Sequence, residues 1–149
     1  MKTAIIYYSK HHENTKKLVD TIAAKHEVTL IDATKTKEFD LTGYDLVGFA
    51  SGIYYSKFQK SVLEFAERNL PKNKDVFFIY TYGGKREGYT KAIEEVVLAK
   101  SAKIKGAFGC PGFNTFGPFK LVGGIAKGHP DADDTAKALS FFENLIAHS

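Results

Sequence analysis

The sequence predicts an α/β fold, a three-layer sandwich in which a five-stranded parallel sheet carries helices on both faces. Two observations predict it: short apolar runs alternate with amphipathic segments at helical spacing, and the first run passes into a polar, hydroxyl-bearing turn before its helix. The first strand is read at residues 3–8, where Ala4, Ile5, Ile6, Tyr7 and Tyr8 follow one another. The helix after it, 14–25, stacks Leu18, Ile22 and Ala23 on one face. A shorter strand at 28–31 precedes a third at 45–50. Helix 58–69 lines up Val62, Phe65 and Ala66 and stops at Leu70-Pro71, because proline cannot continue a helix. Strand 76–80, helix 88–101 and strand 104–110 follow, the last containing Gly106. Helix 132–147 presents Leu139, Phe142 and Ile146. No repeat, linker or shift of composition divides the chain, so residues 1–149 are expected to form one domain.

Composition narrows the function classes. A chain of 149 residues can bury about two-thirds of its unfolded surface around one core. Hydrophobic residues at 44% and charged residues at 26% place it among globular proteins, and no apolar run reaches the roughly 20 residues of a membrane span. The N-terminal residues enter a strand with no apolar signal region, which points to the cytoplasm. Cys110 is the sole cysteine, so neither an internal disulfide nor a cysteine-based metal site is expected, and it reads as a small buried hydrophobe more readily than as a reactive thiol. The net charge is +4, but the 21 Lys and Arg are interleaved with 17 acids and form no stripe. Nucleic-acid binding is therefore not expected, and the excess reads as a solvated surface able to meet acidic partners.

In a doubly wound sheet a ligand sits beyond the carboxyl ends of the strands, where strand order reverses, so the loops after strands one, three and four are the informative ones. The first contains Ser9, Lys10, His11, His12, Glu13, Asn14 and Thr15. The opening turn of the next helix offers backbone N–H groups and partial positive charge, to which Ser9, Asn14 and Thr15 add side-chain donors: the chemistry of a phosphate site. The competing reading is a βα turn in which Asn14 or Thr15 simply caps the helix. After strand three come Ser51, Gly52, Ile53, Tyr54 and Tyr55, and after strand four Thr81, Tyr82, Gly83 and Gly84. Gly52 is read as permitting a backbone conformation or peptide flip that a side chain resists, and the tyrosines offer flat faces for stacking. Singly, each of these loops could be a turn with a packing tyrosine. Together the three loops suit a ligand with a phosphate at one end and a planar heterocycle at the other, and FMN matches.

On these residues the chain resembles the flavodoxin family over essentially its whole length. The resemblance implies a flavodoxin-like sheet of strand order 2-1-3-4-5, FMN as cofactor, and a low-potential electron carrier between a reductase and acceptor proteins. Family members carry Ser/Thr-x-Thr-Gly-x-Thr after strand one, and Ser9, Asn14 and Thr15 fit its ends. The interior departs from it, with His11 and His12 where a threonine is usual and Glu13 where the family has glycine. Glu13 is expected to point outward, away from a phosphate it would repel, while His11 or His12 partly replaces the missing donor. By the same resemblance, the segment from Ser51 to Tyr55 would touch the flavin N5 edge. The segment from Thr81 to Gly84 would flank the other side of the ring, with Tyr82 the preferred stacking residue and Tyr54 a second.

Residues 110–130, rich in Gly, Pro and Phe, form a long connection that reads as a lid, a docking surface or a self-packed Ω-loop. Other users of the topology do not fit. A receiver domain needs acids after strand one and an aspartate ending strand three, and a small phosphatase needs Cys and Arg in the first loop. Nor is there a nucleotide P-loop ending in Gly-Lys-Ser/Thr. Two alternatives stand beside the carrier: an FMN-dependent reductase or dehydrogenase acting on a quinone or similar planar substrate, and a flavin-free interaction module.

Overall fold

The computed structural model describes residues 1–9, 13–84, 86–112 and 128–148. The expectations placed on Lys10, His11 and His12, and on most of the 110–130 connection, lie outside these residues.

Strands β1 (Thr3–Tyr8), β2 (Val28–Asp32), β3 (Leu46–Tyr54), β5 (Asp75–Tyr82) and β6 (Lys103–Pro111) form a parallel sheet in the order β2-β1-β3-β5-β6. For these five long strands that is the expected 2-1-3-4-5. The sixth strand, β4 (Lys57–Phe58), is short and pairs antiparallel with the end of β3. Pro111 closes β6 at the sheet edge, where its missing N–H breaks no ladder.

Helices α1 (Asn14–Lys25) and α4 (Ala132–Ala147) pack together on one face, burying Leu18, Val19, Ile22, Ala138 and Phe142 against Ile5, Ala50, Phe77 and Ile79. Helices α2 (Lys60–Asn69) and α3 (Lys91–Leu98) cover the other, where Val62, Phe65, Ala66, Ile93 and Val97 meet Ile6, Val47, Phe49, Val76 and Phe78. Side chains alternate faces along a strand, so β5 sends Phe77 and Ile79 toward α1 and Val76, Phe78 and Tyr80 toward α2 and α3. Both faces of the central strands are thereby dry, which is why they read as continuous apolar runs.

β5 runs on to Tyr82, past the expected end at residue 80, the short β4 was not expected, and three further elements depart from the sequence expectation. β3 runs on to Tyr54 instead of stopping at Ala50, because Ser51 and Gly52 pair with Tyr80 and Thr81 of β5 before the chain turns into β4. α2 starts at Lys60, two residues late: Phe58 is used in β4, and the Gln59 side chain caps the helix by accepting the Ser61 N–H at 2.6 Å. α3 spans only Lys91–Leu98, since Gly88 turns the chain with φ +85° on one side and Ser101 takes φ +57° on the other.

Candidate functional site

A cleft lies at the carboxyl edge of the sheet between the ends of β1, β3 and β5. Its lining brings together Ser9, Asn14, Thr15, Gly52, Ile53, Tyr54, Thr81, Tyr82, Gly83 and Gly112. Nine of these ten come from the residues singled out in the sequence, and all three loops contribute.

The floor is built around the start of α1. Ser9 Oγ accepts the Lys16 N–H at 3.0 Å, which fixes the turn and leaves the hydroxyl proton to be donated elsewhere. Thr15 and Thr81, 1% and 3% exposed, join hydroxyls at 3.1 Å across the gap between α1 and β5. Two hydroxyls sharing one hydrogen bond have one O–H proton left to donate outside the pair, so this contact is also a donor. No acidic residue occupies the first turn of α1, and the N-cap residue Glu13 makes no side-chain cap hydrogen bond. Glu13 is exposed, as expected, and its φ of +51° is left-handed, the conformation glycine adopts without cost. Lys16 is turned to Asp20 at 2.8 Å, and that hydrogen bond raises its pKa.

The walls are aromatic. Tyr54 meets Tyr8 edge-on at 5.6 Å between ring centroids. On the opposite side Tyr82 stacks on Tyr89 at 5.9 Å with 28° between planes, and Tyr80 meets Tyr89 at 6.1 Å and 72°. Burial, chiefly, pushes the Tyr80 and Tyr82 phenols above their ordinary value, so both are neutral near pH 7. Cys110, opposite Thr81 in the β5–β6 register, is buried, and its thiol is pushed up to about 12 by burial, with Asp134 and Asp131 adding to the effect. Like the expected small hydrophobe, it is no nucleophile at neutral pH.

Several candidates sit apart from the cleft lining. Ser51 is fully buried beneath it, and its hydroxyl accepts the Gln59 N–H at 2.9 Å and donates to the Gly52 carbonyl, which ties β3 to the start of α2. Tyr55 is 82% exposed at the hairpin tip, and Gly84 is exposed beyond Gly83. Gly52 has ordinary strand backbone. The left-handed residues are Tyr55 at φ +52° and Ser56 at φ +66°, so the special conformation expected of Gly52 falls three residues later. Two residues went unselected. Gly112 donates its N–H to the Tyr82 carbonyl at 2.9 Å and packs so closely that a β-carbon there would come within 2.8 Å of Asn14 Nδ2 and 3.0 Å of Thr81 Cβ. The Cys-Pro-Gly run was its only signal. Tyr89 lies between Gly88 and α3 and was hidden by the assignment of that stretch to helix.

A helix start lined by hydroxyls and facing aromatic walls, at the switch point of a 2-1-3-4-5 sheet, is the arrangement of a flavodoxin-type protein. A family model described as Flavodoxin domain matches residues 5–112, and the chain belongs to that family. An uncharacterized protein of Methanocaldococcus jannaschii is 36% identical over 148 residues, 98% of this chain and 99% of that one. Among solved structures, Flavodoxin 2 from Bacillus cereus superposes with a TM-score of 0.67 at 18% identity, covering 100% of both chains. A Streptococcus pneumonia flavodoxin gives 0.67 at 16% identity, covering 99% of both. The general stress protein 14 of Treponema denticola, solved in complex with FMN, gives 0.66 at 12%, covering 97% of this chain and 99% of that one. Among the described residues no helix is long and apolar enough to cross a membrane.

Proposed function

We propose that this chain binds FMN in the cleft and acts as an electron carrier between a reductase and acceptor proteins. The observation that carries the reading is the Thr15–Thr81 hydroxyl pair at the start of α1, whose first turn holds no acid. Buried hydroxyls with a proton to donate, beside a helix dipole, suit a phosphate, and the cleft then continues toward Tyr82 and Tyr54, which suit a planar ring. The donor set therefore fits FMN: Ser9, Asn14 and Thr15 would hold its phosphate, Tyr82 would face its ring, and Gly52 and Ile53 would border its edge. When bound, FMN supplies the one- and two-electron chemistry. The protein orients it, excludes water from one side and sets its potential.

The carrier is favoured over a substrate-transforming reductase by the lining itself. Its described residues include no His, Cys, Asp, Glu or Lys, so among them no side chain is suited to act as a general base near pH 7. The test is direct. Purified protein titrated with FMN should quench flavin fluorescence with one site per chain, and the loaded protein should oxidise a nicotinamide only when a separate reductase is added. Thr15→Val should weaken FMN binding about tenfold, the worth of one buried hydrogen bond to an anion. A protein that takes up no FMN would overturn the proposal in favour of an interaction module, and unaided turnover of nicotinamide and a quinone would replace the carrier by the reductase.

A further inference from the structure

We infer that Tyr89 is a positioning residue for the flavin-flanking wall, holding Tyr82 and the Gly83–Gly84 backbone in place from behind the cleft; this rests on the FMN reading above. Tyr89 is 7% exposed and does not line the cleft. It touches that wall in two independent ways. Its ring is stacked on Tyr82, with the Tyr80 ring set edge-on against its own. Its hydroxyl donates a hydrogen bond to the carbonyl of Gly84.

The sequence between the two stacked tyrosines explains why such a tie is needed. Residues 83–88 read Gly-Gly-Lys-Arg-Glu-Gly, half glycine, with Gly88 left-handed at φ +85°. Glycine loses the most conformational freedom on ordering, so this stretch will not hold one shape by local preference. Tyr89, which follows this stretch, is tied to its start in two ways: the hydroxyl reaches back to Gly84, and the ring stacks on Tyr82 just before the glycines. Tyr80 is itself pinned, because Gly109 faces it across the β5–β6 ladder and a β-carbon at 109 would fall 2.3 Å from the Tyr80 ring. The packing runs Gly109, Tyr80, Tyr89, Tyr82, and then the cleft. A planar ligand that stacks on Tyr82 thus meets a surface already ordered, and the entropy of ordering it is not subtracted from binding.

The test uses Tyr89→Phe, which keeps the rings and deletes the hydroxyl, and Tyr89→Leu, which removes both. Two readouts are taken. In the protein without added FMN, trypsin cleavage after Arg86, followed at that site by mass spectrometry, reports how readily the stretch opens with no flavin present. Phe should speed cleavage about tenfold, as expected for one lost hydrogen bond, and Leu more. In the FMN-loaded protein, Phe should weaken binding by up to about tenfold and alter the visible circular dichroism and midpoint potential of bound FMN, with Leu the larger effect. Wild-type trypsin rate, affinity, dichroism and potential in the Phe variant would overturn the inference. So would a Leu variant indistinguishable from Phe, since the stack would then hold nothing. If the wild-type chain binds no FMN, the functional reading fails with it, and that result is seen before any variant is made.

Discussion

Three effects meet in the left-handed Glu13. A side chain at φ +51° costs about 1–2 kcal/mol relative to right-handed backbone, a strain glycine does not feel. Glycine in turn loses about 0.5–1 kcal/mol more entropy on folding. The carboxylate at the start of α1 gains about 0.3–1 kcal/mol from the helix dipole while repelling a phosphate bound there. For Glu13→Gly these terms nearly cancel, so overall stability should change little. Glu13→Gln separates them: it keeps the strain and deletes the charge. The Gly variant should therefore be about 1 kcal/mol more stable than the Gln variant in denaturant titrations. Both should bind FMN about threefold more tightly than wild type at low salt, an advantage that fades in high salt. A Gly variant less stable than the Gln variant by about 0.5–1 kcal/mol, the entropy of glycine alone, would show that the backbone is not strained, and unchanged affinity would show that the carboxylate does not repel a bound phosphate. The sequence exposed the oddity of Glu13 only because the family pattern has glycine there.

The start of α4 shows how much of an element can be read in sequence and what cannot. Its apolar spacing marked Ala132–Ala147, and the structure places the helix on those bounds. Apolar spacing marks the buried face but not the cap, whose signal is the separate Asp131-x-x-Asp134 pattern. Asp131 Oδ1 accepts the Asp134 N–H and Asp134 Oδ2 accepts the Asp131 N–H, both at 2.9 Å, while His129 Nδ1 lies 2.6 Å from the same Asp134 oxygen. The β3–β4 hairpin was missed for the opposite reason. Its two-residue turn uses Tyr55 and Ser56 at positive φ, where turn rules look for Asn-Gly, so a strand continuing through Gly52 was read as a loop. The α4 cap yields a pH dependence. Asp134 raises the His129 pKa above its ordinary 6.5, chiefly through their hydrogen bond. Burial pushes Asp134 up, but the hydrogen bonds from His129 and the Asp131 N–H outweigh it and hold the carboxyl below its ordinary 3.8. The histidine's contribution is complete below 6.5 and is lost as pH rises through its raised value. The aspartate's is present above 3.8 and is lost as pH falls through its depressed one. Wild type should therefore exceed His129→Gln in melting temperature most between about pH 4 and 6.5, with the gap closing at higher pH. A gap independent of pH would show that the pair is not ionic.

At the scale of the whole molecule the parallel sheet followed from alternating elements and its strand order from the family resemblance, but partner and potential depend on summed charge. Flavodoxins are characteristically acidic, whereas this chain carries a net charge of +4 with a pI near 9.0. Full reduction places negative charge on the flavin, and surrounding positive charge lowers its cost. One unit charge about 15 Å away in a water-like medium contributes roughly 0.3 kcal/mol. At about 1.4 kcal/mol per 59 mV for one electron, that is on the order of 10 mV per charge, so a difference of several charges amounts to tens of millivolts. The potential for full reduction should accordingly lie less negative than in acidic family members by that amount. Because these charges act through solvent, raising ionic strength from about 0.01 M to 1 M shortens their reach from about 30 Å to 3 Å and should move the potential back toward more negative values. Spectroelectrochemical titration of the FMN-loaded protein at both ionic strengths measures this. A potential as low as that of acidic flavodoxins and indifferent to salt would mean that the local dipoles and rings around the cleft set it alone. The same field should speed association with acidic acceptors and slow it with basic ones, since long-range charge acts on encounter rate before any contact forms.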